Sequence, residues 1–262
     1  MDDILNLELL RLRKKTKEEP DNPMSWVEYG DFLLEQLELY QDAIKAFEKA
    51  SKLLGSLDLR LRIGEAMFLD GEKEEGIKLI EESVISNPRP EAFTILGNCL
   101  INLDEIERAQ EALLSAIEIN ENYEEALYLL AEIEEDGTKA IELYKAAIGN
   151  DINYQLAWAG LGKRLLKKGD YEEAVEALLK AIDLNVNDIW SHLYLANAYW
   201  SLNRLESADI FYSKANDLEP KNPLIIKFYC EFLESIGNSK KAEEIKRINN
   251  NSPGNGKASS HL

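Results

Sequence analysis

Trp158-Ala159-Gly160-Leu161-Gly162, followed by Gly169-Asp170-Tyr171-Glu172-Glu173-Ala174 and then by Ala181, decides how this chain folds. An apolar run carrying small residues, a Gly-Asp turn and a second apolar run read as two helices folded back on each other. Gly169 suits the end of the first helix, and small side chains at Gly162, Ala174 and Ala181 let the two backbones approach closely.

The same signals recur outward in both directions. Small residues stand at Gly30, Gly64, Gly97, Ala131, Gly162, Ala196 and Cys230, spaced by 34, 33, 34, 31, 34 and 34 residues. A second ladder runs through Ala43, Gly76, Ala109, Ala140, Ala174, Ala208 and Ala242, and a third through Ala50, Ser83, Ala116, Ala147, Ala181 and Ala215. Large residues fill in phase: Trp26, Phe93 and Trp158 in first helices, Phe47, Tyr144, Leu178 and Tyr212 in second ones. Turn residues recur at Asp70-Gly71, Asp136-Gly137 and Ile236-Gly237-Asn238 within repeats, and at Asn87-Pro88 and Glu219-Pro220 between them. A fixed period of this length marks a repeat architecture, in which each unit buries its apolar face only against its neighbours.

On these residues the chain resembles the tetratricopeptide repeat (TPR) family over about residues 23–249. The resemblance implies an all-α, right-handed superhelical solenoid of about seven helix-turn-helix repeats with amino-terminal and carboxyl-terminal capping helices. The repeats are expected at about 23–56, 57–89, 90–123, 124–154, 155–188, 189–222 and 223–249, after a capping helix in 1–22. In that helix Ile4, Leu5, Leu7, Leu9, Leu10 and Leu12 read as an apolar side, followed by the bases Arg11, Arg13, Lys14, Lys15 and Lys17. Three residues are missing between Ala131 and Ala140, nearly one helical turn, which predicts a fourth repeat with shortened helices. One extra residue in the first repeat is placed in the Leu37–Gln41 turn. Lys246 and Asn249 break the pattern of the last helix, which reads as a polar cap, and residues 250–262 have too little apolar content to pack.

Composition narrows the function. With 49 Asp and Glu against 30 Lys and Arg, a formal charge of −19 repels nucleic acid and anionic lipid. The amino terminus lacks a secretory pattern and no apolar run is long enough to cross a bilayer, so the expected location is cytoplasmic. Ser260-His261-Leu262 resembles a peroxisomal address and supplies the alternative. Cys99 and Cys230 are far apart and read as small core residues. His192 reads as packed. Gly160-Leu161-Gly162-Lys163 lacks the strand, the upstream glycine and the Ser or Thr of a phosphate loop. No nucleophile, base, metal cluster or cofactor motif emerges, so the chain is expected to be a binding protein, not an enzyme, with no cofactor.

In the family, first helices line an inner groove that holds partner segments. The resemblance carries that role to Asp31, Glu65, Asn98, Glu132, Lys163, Asn197 and Glu231, one position beyond each small residue. On the same helical faces lie Tyr128, Lys167, Trp190, Tyr194, Trp200 and Phe228. With Glu132, Lys163 and Asn197, these form the expected protein-binding groove: acidic around Glu125, Glu132, Glu135 and Asp136, aromatic and weakly basic later. Such a groove suits a segment with basic and apolar residues. Trp190 reads equally as core or groove, and Gly160 as room left for a ligand. The clamp by which some members hold chaperone carboxyl termini is not reproduced: Thr94 and Leu193 stand where it needs Lys, and Lys163 and Lys167 precede Asn197. The leading function is therefore a scaffold or adaptor for a protein or peptide partner. The alternative is a self-assembling module whose exposed apolar ends stack into a homo-oligomer.

Overall fold

The computed structural model describes residues 3–54 and 59–250, and among them every regular element is helical. A single helix, α1 (Asp3–Glu18), is followed by pairs. These are α2 (Pro23–Glu35) and α3 (Tyr40–Leu54), α4 (Arg60–Asp70) and α5 (Lys73–Ser86), and α6 (Pro90–Ile101) and α7 (Ile106–Ile119); α8 (Glu124–Ile133) and α9 (Gly137–Asn150) follow in sequence. Then come α10 (Gln155–Lys168) and α11 (Tyr171–Leu184), α12 (Ile189–Ser201) and α13 (Leu205–Leu218), and α14 (Pro223–Ser235) and α15 (Ser239–Asn250). The chain divides into two compact units, residues 1–133 and 134–262. In the first, α2 packs on α3, α4 on α5, and α6 on α7, with α8 against both α6 and α7. In the second, α9 packs on α10, α10 on α11, α12 on α13, and α14 on α15.

Local chemistry sets the helix ends. Asn22 and Asn222 accept hydrogen bonds from Met24 and Leu224 backbone N–H groups at 3.1 and 3.0 Å, each with proline at the first helical position. Gly169 closes α10 at φ 95° and donates to the carbonyls of Leu165 and Leu166, a backbone shape that favours glycine.

Every residue of the three small ladders is buried. Between α4 and α5 backbone meets backbone: a Cβ on Gly64 would sit 2.7 Å from the Gly76 carbonyl oxygen, and one on Gly76 would sit 2.6 Å from that of Gly64. Where only one partner is glycine, a large side chain fills the gap. A Cβ on Gly30 would lie 2.6 Å from the Phe47 ring, and one on Gly162 would lie 2.4 Å from Leu178. The core of the second unit is aromatic, with Tyr212 stacked on Tyr229 at 5.4 Å and tilted against Phe232 at 5.1 Å.

Two expectations change. The missing turn of the fourth repeat is not shared between its helices: α8 keeps 10 residues while α9 has 14, as many as α10 and α11. The six apolar residues of α1 do not form one side either. Leu12 is buried and Leu9 packs against the core of the first two helix pairs, whereas Ile4, Leu7 and Leu10 are 78, 67 and 62% exposed. At about 100° per residue, positions 4, 7 and 10 make a separate stripe from 9 and 12. The α2–α3 connection runs over residues 36–39, where Glu38 adopts a φ of 52°. Of the expected disordered tail, Asn250 ends α15, and the remainder, including Ser260-His261-Leu262, lies outside the described residues.

Candidate functional site

First helices neighbour one another within each unit, α4 with α6 and α6 with α8 in one, α10 with α12 in the other, so each unit presents a face made of first helices. In the second unit, Leu156, Trp190 and Leu224 recur at 34-residue spacing near the starts of α10, α12 and α14. They are 48, 39 and 44% exposed, an amount of apolar surface that no packing within the unit removes. Trp190 is thus at the surface, and it stacks on half-buried Tyr194 at 6.4 Å.

Lys163 and Lys167 stand exposed one turn apart on α10, whose sequence also carries Arg164 and Lys168 and no acid. Lys168 pairs with Asp170 at 2.7 Å. Beside the last turn of α10 lies a cavity of about 260 Å³ lined by Glu135, Gly137, Thr138, Arg164, Lys167 and Lys168.

Other candidates are drawn into packing. Trp200 is half-buried, edge-on to Tyr212 at 6.5 Å and to Phe232 at 5.7 Å, so it joins α12 to α14 more than it faces outward. The Asn197 side-chain oxygen accepts a hydrogen bond from the Tyr212 hydroxyl, whose pKa is pushed up by burial and by Glu231. Phe228 is half-buried at the edge of the core, with the Lys227 ammonium 5.8 Å from its ring. Gly160 leaves no room for a ligand: a Cβ there would come within 2.5 Å of the buried Tyr144 ring. The glycine answers the bulk of the preceding repeat's tyrosine, a signal readable from the large residue at 144. His192 is 2% exposed, with Nε2 2.8 Å from the Val186 carbonyl oxygen and its ring stacked on Phe211.

Tyr128 and Glu132 lie half-buried on α8, in the first unit, where the face has a different character. Its centre is Arg62 on α4, a residue not singled out from the sequence although it stands two positions before Gly64. Its guanidinium reaches Glu35 at 2.6 Å, Glu65 at 3.0 Å and Asp31 at 3.1 Å, the last an ion pair without hydrogen-bond geometry at the buried Asp31 Oδ1.

Burial pushes the carboxyls of Asp31 and Glu65 above the usual carboxylate range despite Arg62. Burial also raises Glu125, with Glu124 and Glu91 adding to it. Burial alone would lower the Arg62 pKa, but Glu65, Asp31 and Glu35 together raise it. Tyr123 is pushed up to about 12 by burial, then by Glu125 and Glu91. Cys99 is likewise pushed up to about 12, by burial and then Glu65, which keeps it a protonated core thiol.

Paired helices repeating at this period, with first helices gathered on a face of each unit, define a helix-hairpin repeat scaffold. Known sequences carry the assignment further. The tetratricopeptide repeat profile matches residues 90–123 and 192–222, and a second TPR repeat profile matches 162–203. The TPR repeat-containing protein MJ1428 of Methanocaldococcus jannaschii is 28% identical over 199 residues, covering 67% of this chain and 35% of that protein. Anaphase-promoting complex subunit 3 of Schizosaccharomyces pombe is 27% identical over 150 residues, covering 56% of this chain and 23% of that protein. The chain therefore spans about a third of one relative and a quarter of the other. Among solved structures, Cut9 in the Cut9–Hcn1 heterotetramer matches with a TM-score of 0.73 at 19% identity, over 88% of this chain and 46% of that one. MamA matches at 0.54 with 23% identity, over 61% of this chain and 95% of that one. Residues 90–123 and 162–222 of this chain are thus matched as tetratricopeptide repeats, and its fold is that of the tetratricopeptide repeat solenoids.

Proposed function

We propose that the chain is a protein-binding scaffold whose second unit takes a partner segment across its first-helix face. The observation that carries this reading is the exposed, in-phase row of Leu156, Trp190 and Leu224, with Tyr194 stacked on Trp190 and with Lys163 and Lys167 exposed further along α10. An aromatic anchor beside cations is the composition that dominates protein interfaces. A segment with one or two large apolar side chains and nearby Asp or Glu complements it. The first unit's face, with Asp31, Glu35, Glu65 and Glu125 around a single Arg62, suits basic residues instead. Helix-pair repeats of this kind serve in general as protein-interaction scaffolds.

Selection from a displayed peptide library with the intact protein tests the reading. Wild type is expected to enrich segments pairing large apolar with acidic residues. A Lys163→Glu, Tyr194→Ala double variant, folded by circular dichroism, is expected to lose that enrichment at least ~10-fold. Unchanged selection by the double variant overturns the assignment.

A further inference from the structure

The bases of α10 exceed what its own helix end calls for. Its 14 residues hold Lys163, Arg164, Lys167 and Lys168 and no acid, in a chain with 49 acids and 30 bases. Cations in a last turn complement the helix dipole, which accounts for Lys167 and Lys168 but not for the two bases a turn earlier. Arg164, Lys167 and Lys168 meet at the cavity of about 260 Å³ beside that turn, with Thr138 as a hydroxyl and Glu135 as the acid of its wall. The backbone donors at the start of α9 are already used, because Asp136 accepts from the Thr138 and Lys139 N–H groups at 2.8 and 3.3 Å. The charge of the cavity is therefore that of its side chains. Three cations face one carboxylate, and even with Lys168 shared with Asp170 at 2.7 Å the balance is positive.

We propose that this cavity receives a phosphorylated serine or threonine side chain of the segment held by the second unit. A phosphoryl group brings a charge of about −1.5 to −2 and three acceptor oxygens, against one charge and two oxygens for an Asp or Glu. Arg164 and the two lysines supply both the charge and the donors for it, the guanidinium in a fork that suits phosphate. The volume equals roughly nine waters at ~30 Å³ each. That is more than a carboxylate fills, and it admits a phosphoryl group together with part of the side chain that carries it.

The cavity is placed to read the same segment as the apolar row. Leu156, Lys163 and Lys167 fall within about 40° of one another around α10, so one face of that helix runs from the row to the cavity. Leu156 and Lys167 are separated by ~16 Å of helix, which an extended segment covers in about five residues. The inference rests on the reading of Leu156, Trp190 and Leu224 as a partner surface and adds a requirement to it: a phosphorylated residue at that distance from the apolar anchor. Phosphorylation of the partner then tightens the complex, and the hold of the scaffold becomes switchable.

Fluorescence anisotropy with the intact chain is the test. The probes are labelled synthetic peptides that carry a leucine–tryptophan pair and, about five residues before or after it, either serine or phosphoserine, with alanine and glycine between. The phosphorylated form is expected to bind ~10-fold tighter in one of the two orientations. Thr138→Glu, at an exposed first-turn position where an acid suits the helix, is expected to remove that gain while the serine form still binds. Glu135→Gln is expected to enlarge the gain ~2-fold, an effect that a merely structural residue would not produce. Trp190→Ala is expected to weaken both forms alike. Equal affinity of the two forms overturns the phosphoryl site and leaves the apolar row standing, whereas no binding of either form overturns both readings. A gain that survives Thr138→Glu also overturns the proposal. So does calorimetry showing inorganic phosphate bound by wild type and not by Thr138→Glu, without any gain for the phosphopeptide, which would assign the cavity to a free anion.

Discussion

Arg62 and Tyr194 occupy the same repeat position, two residues before Gly64 and Ala196 respectively, one in each compact unit. In the second repeat this position holds a cation drawing together Asp31, Glu35 and Glu65. In the sixth it holds an aromatic ring stacked on Trp190. The row six residues before the small sites diverges too: after Met24 in the first repeat, it holds Glu91 and Glu125 in one unit and Leu156, Trp190 and Leu224 in the other. One backbone repeat thus presents two chemistries, and the small ladders that fix the helix pairs leave these positions free to differ. Fold and recognition are written in separate registers of the same period.

The largest effect is expected from Arg62→Met. Arg62 is 23% exposed, and its removal leaves Asp31 and Glu65, both half-buried and already raised in pKa, without their cation. Breaking such a pair from one side costs more than the pair contributes, here about 2–3 kcal/mol. Urea denaturation should show that loss, and Tyr194→Ala, at the same repeat position, should cost clearly less. Equal losses would show that the position serves packing alike in both units and erase the contrast.

Gly160→Ala comes next. It stands at that same position in the fifth repeat, where the added methyl would meet the Tyr144 ring at 2.5 Å. Overpacking of this kind costs about 1–3 kcal/mol. Combining it with Tyr144→Leu should recover part of the loss, because a shorter side chain vacates the space. A double variant no better than the sum of the singles would show that the methyl meets something other than the ring.

Gly160 also shows where sequence reading succeeds and where it fails. The ladders were legible because close approach of two helices tolerates only small residues, and Gly30, Gly97 and Ala208 are buried where the period puts them. Gly160 falls outside the ladders, and its cause is a tyrosine 16 residues earlier in the neighbouring helix pair, a relation that no single helix displays. Trp200 is half-drawn into packing for the same reason. Its phase on α12 leaves it outward, but Phe232 of α14 reaches it edge-on. Arg62 was passed over because a lone base among many acids reads as solvated surface until Asp31 and Glu35, on another helix, are brought to it. Periodicity reports what a helix does to itself and its partner; the sites depend on contacts between repeats.

The smallest effect tests the electrostatic half of the contrast most directly. Among the described residues no ion pair holds Glu125 as Arg62 holds Asp31 and Glu65; burial, then Glu124 and Glu91, raise its carboxyl above the ordinary 4.5 against a smaller lowering by Arg62. A carboxyl raised in the folded protein holds its proton more tightly there than in the unfolded chain. Folding therefore takes up a proton between those two values: stability from this group is gained as pH falls through the raised pKa and lost as pH rises above it. Glu125→Gln removes the penalty, so at neutral pH it should stabilise the protein by a few tenths of a kcal/mol, a modest figure because the side chain is exposed to screening solvent. The gain should vanish near pH 4, where both forms are largely uncharged, and shrink in ~1 M salt. Urea midpoints at the two pH values measure it. A variant less stable than wild type at neutral pH would mean that Glu125 is held by a favourable partner, and the first unit's face would then carry less unbalanced negative charge than its neighbours suggest.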